Sequence, residues 1–149
     1  MKLQSIDIGT TSNLYEIHLN FSNGTSSKIF RTPYAGEEHE VNRNLRNFPI
    51  DMKKRIADVY INQSETDGSI YGLRIVDDKG ENMMDEHWFN KAGQQGTAWK
   101  HFKIPQGKEI IGMHLSHDGS WFKSMGLILW RPNPNAKRDI AVRDSVAIS

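Results

Sequence analysis

Hydrophobic and polar residues alternate along residues 15–21, with aromatic or aliphatic side chains at the odd positions and polar ones at the even positions. A two-residue period is typical of a strand that buries one face. Asn23 and Gly24 follow, and both residue types tolerate the positive φ angles of a two-residue hairpin turn. The pattern therefore predicts a hairpin whose second strand returns through residues 25–30.

Later segments with the same period are also predicted as strands. Four of them lie at residues 56–61, 70–76, 99–104 and 109–116, and a fifth ends near Trp130. The apolar side chains that this period assigns to inner faces are Ala57, Val59, Ile61, Tyr71, Leu73, Ile75, Phe102, Ile104, Ile111, Met113, Leu115, Met125, Leu127 and Leu129. Turns that contain glycine are predicted at residues 78–80, 105–107 and 118–119.

Two internal segments lack a clear period. Residues 31–51 are polar and include Pro33 and Pro49, so they are predicted as a long connection, with a short edge strand at 39–41 as an alternative. One or two helical turns are an alternative to irregular structure at residues 82–92. No long helix is predicted anywhere in the chain.

The last part of the chain is predicted as a tail at residues 132–149, either a linker or a segment ordered by a partner. A marginal helix over residues 136–147 is the alternative, although its apolar stripe is thin. The rest, about residues 3–131, is predicted as one domain. Short strands separated by turns indicate an all-β sandwich, barrel or prism.

Composition narrows the class of protein. The 149 residues are enough for one domain with a full core. The formal net charge of +1 lacks the basic surplus of most nucleic-acid-binding proteins. The chain has no cysteine, which excludes disulfides, thiol nucleophiles and cysteine metal sites. The chain shows no signal peptide and no membrane-spanning apolar run, so we expect an intracellular, cytoplasmic protein.

Catalytic and metal-binding motifs are missing from the sequence. It contains no P-loop, no Gly-x-Gly-x-x-Gly and no Gly-x-Ser-x-Gly. His114 and His117 lie three residues apart on a predicted strand, so their side chains point to opposite faces. The acidic residues Glu37, Glu38 and Glu40 lack EF-hand spacing. We therefore expect a protein that is not an enzyme and has no metal ion or other cofactor.

Three segments resemble the jacalin-related lectins, whose fold is a β-prism of Greek-key sheets. Residues 70–80, IYGLRIVDDKG, are similar to the family's strand that ends in a Lys-Gly turn. Residues 107–116, GKEIIGMHLS, are similar to its Gly-x-x-Ile-x-Gly-Phe strand, and residues 119–130, GSWFKSMGLILW, to its closing hairpin. The resemblance implies a single jacalin-like β-prism, and a galactose-binding-like β-sandwich is the alternative architecture.

The resemblance also implies a carbohydrate site. The family's closing hairpin carries Gly-x-x-x-Asp, and the matching positions here are Gly119, Ser120, Trp121, Phe122 and Lys123. Lysine stands where the family has the aspartate that accepts hydrogen bonds from sugar hydroxyls, and an ammonium group accepts none. The family's glycine-rich N-terminal segment is represented only by Gly9.

Two functions remain open at this point. In one, the backbone N–H groups of residues 119–123 and the Trp121 ring hold a glycan, and Lys123 contacts an anionic or sulfated group on it. In the other, the scaffold binds a protein partner through residues 31–51 and 132–149, as a homo-oligomer or as a subunit of a larger assembly. Trp121 fits either function or simple packing over the end of the fold. Nucleic acid is not expected as a partner.

Overall fold

The computed structural model describes residues 2–10, 14–32, 45–84, 97–119, 121–132 and 141–148. Every regular element in these residues is a β-strand. The strands are β1 (Leu3–Thr10), β2 (Leu14–Phe21), β3 (Phe30–Arg31), β4 (Leu45–Pro49), β5 (Ile56–Ser64), β6 (Ile70–Asp77), β7 (Thr97–Lys103), β8 (Glu109–His117), β9 (Phe122–Pro132) and β10 (Ala141–Ile148). Within the described ranges there is no helix that could cross a membrane.

The strands pair antiparallel in three sheets, which we call A, B and C. Their orders are β3-β2-β1-β4 in sheet A, β6-β5-β7 in sheet B and β10-β9-β8 in sheet C. In sheet A, three consecutive strands are followed by a fourth that returns beside the first, which is the Greek-key order. In sheet B, β5 and β6 form a hairpin, and β7 returns to lie beside β5, the first of these two strands.

One hydrophobic core joins the three sheets. A small apolar cavity at its centre is lined by three side chains from each sheet. They are Leu3, Ile6 and Leu19 from sheet A, Val59, Leu73 and Ile75 from sheet B, and Ile110, Met113 and Leu127 from sheet C. The sheets therefore face a common axis, as expected for a prism and not for two sheets packed face to face.

The first predicted hairpin is confirmed. Ile17 and Leu19 are fully buried on β2, and Phe21 is nearly so, while the polar residues between them face outward. Gly24 has a φ of +84°, which suits glycine, and the N–H of Phe21 donates to the carbonyl of Thr25 at 3.0 Å. The return strand is shorter than predicted, because only an isolated bridge at Ser26 precedes β3.

Three strands correct the sequence analysis. β4 lies inside the segment predicted as a connection, and β10 pairs along β9 where a marginal helix was the alternative for the tail. β1 was not assigned at all, because a register shift between Leu3 and Ser5 breaks its alternation. The possible edge strand at 39–41 and most of the possible helix at 82–92 lie outside the described residues.

The inner face of β8 also differs from the prediction. A register shift between Ile110 and Gly112 reverses the alternation at the start of the strand. As a result Ile110, and not the predicted Ile111, is buried with Met113 in the core. A β-bulge of this kind adds one residue to a strand, so one unbroken alternation cannot describe the side chains on both sides of it.

Candidate functional site

The β8–β9 hairpin tip carries the residues that the resemblance assigned to sugar binding. Gly119 has a φ of +102°, a left-handed value that glycine adopts without strain. Its N–H donates to Nδ1 of His117 at 3.0 Å, and the N–H of Trp121 donates to Oδ1 of Asp118 at 2.9 Å. Two of the backbone donors that we expected to hold a glycan are therefore used inside the turn.

The predicted site residues lie in different environments. Gly119 is exposed and the Trp121 side chain is half-buried, so both remain at the surface. Phe122 is only 1% exposed and belongs to the core, which matches the packing alternative for this segment. Its side chain therefore offers no surface for direct contact with a ligand. Ser120 lies outside the described residues.

Lys123 connects the hairpin to the turn between β5 and β6, at residues 64–69. Its Nζ donates to the carbonyl oxygen of Asp67 at 2.9 Å and to Oγ of Ser69 at 3.0 Å. The Asp118 carboxylate lies 3.2 Å from the same Nζ. An ammonium group has three N–H donors, and these three neighbours are enough to use them.

The 64–69 turn has its own internal hydrogen bonds. The N–H of Ser69 donates to the Asp67 carboxylate at 2.9 Å, and this bond is the main reason that the pKa of Asp67 lies below its usual value. Asp67 therefore stays ionised at neutral pH beside Lys123. Two further N–H groups, from Thr66 and Asp67, donate to Oγ of Ser64.

Gln63 provides a second connection between the turn and β9. Its Nε2 donates to the carbonyl of Gly68 at 2.7 Å and to the carbonyl of Lys123 at 2.9 Å. Gln63 of β5 thus bonds to the main chain of β9, and Lys123 of β9 bonds to the 64–69 turn. Together they hold the 64–69 turn and the start of β9 in one arrangement.

A groove of about 500 Å³ lies against this connection. The residues that line it come from β5 and its turn, from β7 and from β9: Gln63, Ser64, Glu65, Gly68, Ala98, Lys100, Lys123 and Ser124. Its volume is in the range of small-molecule sites, and its walls combine a carboxylate, ammonium groups, hydroxyls and an amide. The sequence analysis found only Lys123 among these residues, because all the others except Ser124 lie far from it in the chain.

A second, smaller polar groove of about 260 Å³ lies on the outer face of sheet A. Burial of Asp7 there disfavours its charge, but hydrogen bonds from Asn47 and Asn20 outweigh this and keep the pKa of Asp7 below its usual value. Arg31 forms an ion pair with the buried Glu16 in the same groove. The polar side chains of this second groove bond to one another, which leaves them less suited to hold a ligand. We therefore take the groove beside Lys123 as the candidate site.

Metal binding has no support in the described ranges, where no three His, Asp or Glu side chains are grouped so that they could hold an ion. His114 and His117 are both exposed on β8, opposite Gly126 and Phe122 of β9 respectively. The acidic residues at 37–40 lie outside the described residues.

Comparison with known proteins gives a likeness in structure alone. No family model and no curated protein sequence matches the chain. Artocarpin, solved with mannopentose and with methyl-α-mannose, superposes with a TM-score of 0.58 at 9% identity, covering 87% of this chain and 83% of artocarpin. The mannose-binding lectin from champedak gives a TM-score of 0.50 at 9% identity, covering 100% of this chain and 83% of the lectin. The chain therefore has the jacalin-like β-prism fold that its three resembling segments predicted.

Proposed function

We propose that this chain is a non-catalytic carbohydrate-recognition module whose sugar site is altered. The observation that carries the proposal is the groove beside Lys123. It adjoins the hairpin that holds the sugar motif in the lectins that the chain resembles. The fold is shared with artocarpin and the champedak lectin, whose structures are described as mannose-bound or mannose-binding. Fold alone does not assign a ligand, so the argument rests on the chemistry of the groove.

The groove supplies both kinds of hydrogen-bonding partner that sugar hydroxyls need. Glu65 offers an acceptor carboxylate, Lys100 offers donors, and the hydroxyl of Ser124 can act as either. Trp121 lies two residues before Lys123 and is half-buried, and we propose that its ring stacks on the apolar face of the sugar. In this proposal Glu65 takes over the acceptor role that Lys123 cannot perform.

Lys123 has a different role from the one expected from the sequence. Because its ammonium already bonds to Asp67, Ser69 and Asp118, we propose that it shapes the groove by holding the 64–69 turn. Contact with an anionic group on the glycan would require it to give up one of these bonds.

The alternative, a protein-interaction module, has less support. Such a subunit would expose a large apolar patch when isolated. In the part of the chain that the structure describes, the exposed large hydrophobic side chains are Ile29 and Met52. This alternative places the partner contacts on residues 31–51 and 132–149. Parts of both segments belong to the domain itself, because β4 lies in sheet A and β10 in sheet C.

Trp121→Ala is expected to remove most glycan binding and to leave the fold intact. Loss of the stacking ring should weaken binding at least about tenfold, while the free energy of unfolding changes by less than about 1 kcal/mol. The measurement is a glycan array with neutral, sialylated and sulfated glycans, followed by calorimetry on the hits. Met52→Ala, which removes an exposed hydrophobic side chain from the turn after β4, is the control and should bind normally.

A blank array with folded wild-type protein would reject the carbohydrate proposal and favour a protein partner. Specific binding that survives Trp121→Ala unchanged would remove the ring from the site, although the groove could still hold the glycan. Lys100→Ala would then test the groove itself.

Lys123→Met is expected to lower the affinity for neutral and sulfated glycans by a similar factor. The variant keeps the aliphatic part of the side chain but loses the bonds that hold the 64–69 turn, and should cost about 1 kcal/mol of stability. Lys79→Met, in the exposed turn after β6, is the matched control. A selective loss of sulfated or sialylated glycans would show instead that Lys123 contacts their anionic groups.

A further inference from the structure

The outer face of sheet B carries a row of aromatic rings. Tyr60 of β5 lies opposite His101 of β7, and Asn62 lies opposite Trp99 in the next pair along. The Tyr60 and His101 rings are stacked, with centroids 4.5 Å apart and planes at 16°. Trp99 meets Tyr60 edge-on at 6.5 Å. All three rings keep some exposure to solvent, whereas an ordinary outer sheet face is mainly polar.

Asn62, the polar residue within this row, is fully buried. Among the residues that the structure describes, neither its Oδ1 nor its Nδ2 has a hydrogen-bond partner. A buried amide that bonds to nothing destabilises a protein, and an aliphatic residue at this strand position would avoid the cost. A polar group that is kept buried and unsatisfied calls for an explanation, such as a water molecule or a ligand that completes its bonds.

The combination of an amide and an adjacent aromatic ring matches the chemistry of a sugar. The Asn62 amide offers one acceptor and two donors, which suits a pair of neighbouring hydroxyl groups. The Trp99 ring beside it offers an apolar surface for the C–H face of the same sugar ring. Asp58 lies 2.6 Å from Nε2 of His101 and so fixes the orientation of the ring at the far end of the row.

We propose that Asn62 and Trp99 form a second carbohydrate site on the outer face of sheet B. It goes beyond the proposed function, because it uses different residues from the groove beside Lys123. On β7, Ala98 and Lys100 line that groove, and Trp99 lies between them in sequence, so its side chain projects from the opposite face of the strand. The same strand pair thus presents one site on each face.

Access to this site requires a local rearrangement. Asn62 has no exposed surface in the unbound chain, so a sugar must uncover the amide before it can bond to it. Binding that needs a conformational change has a lowered association rate. We therefore expect slower association at this face than at the groove, with stacking on Trp99 as the first contact.

Asn62→Leu separates a binding role from a structural one. Leucine has a similar size and needs no hydrogen bonds, so the thermal midpoint should rise by about 2–4 °C. At the same time the affinity for the glycans held at this face should fall at least about tenfold. Lys103→Ala, on the same face at the opposite end of β7, is the control and should change neither quantity.

The probe is the same array of neutral, sialylated and sulfated glycans, applied to the wild type, to Asn62→Leu and to Trp121→Ala. Signals that survive in Trp121→Ala and disappear in Asn62→Leu would establish the second site, and other signals with the reverse pattern would show that the two sites are independent. If Asn62→Leu gives the wild-type pattern, the second site is rejected and the amide is satisfied by water alone, whatever Trp121→Ala does. If glycan signals disappear in Trp121→Ala and none disappear in Asn62→Leu, the result would support the groove and reject the second site.

Nuclear magnetic resonance on the wild type keeps the test independent of variant folding. With an array hit at saturating concentration, the Asn62 side-chain amide and the Trp99 indole N–H signals should both shift. Groove resonances that move while these two stay in place would overturn the second site and leave the first one standing.

Discussion

Phe122→Ala is expected to destabilise the protein by about 3–5 kcal/mol, the usual cost of removing a fully buried aromatic ring from a core. Phe122 is 1% exposed and belongs to the core cluster that contains inner side chains of all three sheets. The core around it is one continuous cluster, so refilling the space left by the ring would strain the surrounding side chains. In a chain of this size, the thermal midpoint should fall by about 10 °C or more. Thermal and urea unfolding of the variant measure this directly.

Trp121→Ala is the matched control, since it removes an aromatic ring from the adjacent position. The Trp121 side chain is half-buried at the hairpin tip, so its loss should affect glycan binding far more than stability. Phe122→Leu, which keeps most of the apolar volume, should recover much of the lost stability. A stable Phe122→Ala variant that only loses glycan binding would contradict the assignment of this ring to the core.

The order of strands in the chain was largely predictable from the sequence. Alternation locates a buried face along the regular part of a strand, as at residues 17–21 of β2, 57–61 of β5 and 125–129 of β9. Turns need particular backbone angles, so Asn23-Gly24 and Asp118-Gly119 were visible as residue pairs. The resemblance then supplied the arrangement of the sheets, which the local pattern alone left open.

Register shifts explain two errors of the sequence analysis, the missed β1 and the wrong inner face of β8. A register shift moves the following side chains to the other face of the sheet, so the period of two is interrupted in β1 and β8. Both β4 and β10 gain their order from a neighbouring strand, β1 and β9 respectively. Such pairing depends on tertiary contacts, to which a local pattern is blind.

Only part of the candidate site could be predicted. The replacement of aspartate by Lys123 was plain in the sequence, but its bonds to Asp67 and Ser69 cross more than fifty positions of chain. The buried Asn62 was equally hidden, because its side chain alternates correctly for an outward position on β5. Both features depend on which strands become neighbours, and that is decided by the fold.

Gly9→Ala is expected to destabilise the protein by about 1–3 kcal/mol through overpacking. A Cβ atom at this position would lie 2.9 Å from Cε2 and 3.0 Å from Cζ of Tyr15, and 3.2 Å from Cβ of Glu16. The Tyr15 ring is fully buried, so it has little room to retreat. The resemblance connected the N-terminal glycine with a sugar site, whereas these distances give Gly9 a role in packing.

Gly112→Ala is the control for this substitution, because Gly112 is also a buried strand glycine. The three atoms nearest to its new Cβ all belong to Ile128, and the nearest of them, Cδ1, lies 3.3 Å away at the flexible end of the side chain. That contact can relax, and the loss of glycine's freedom in the unfolded chain favours alanine, so stability should change by less than about 1 kcal/mol. Urea unfolding of both variants decides the matter: equal stabilities would show that the Tyr15 ring can move aside. A Gly9→Ala variant of normal stability that has lost glycan binding would return Gly9 to the sugar site.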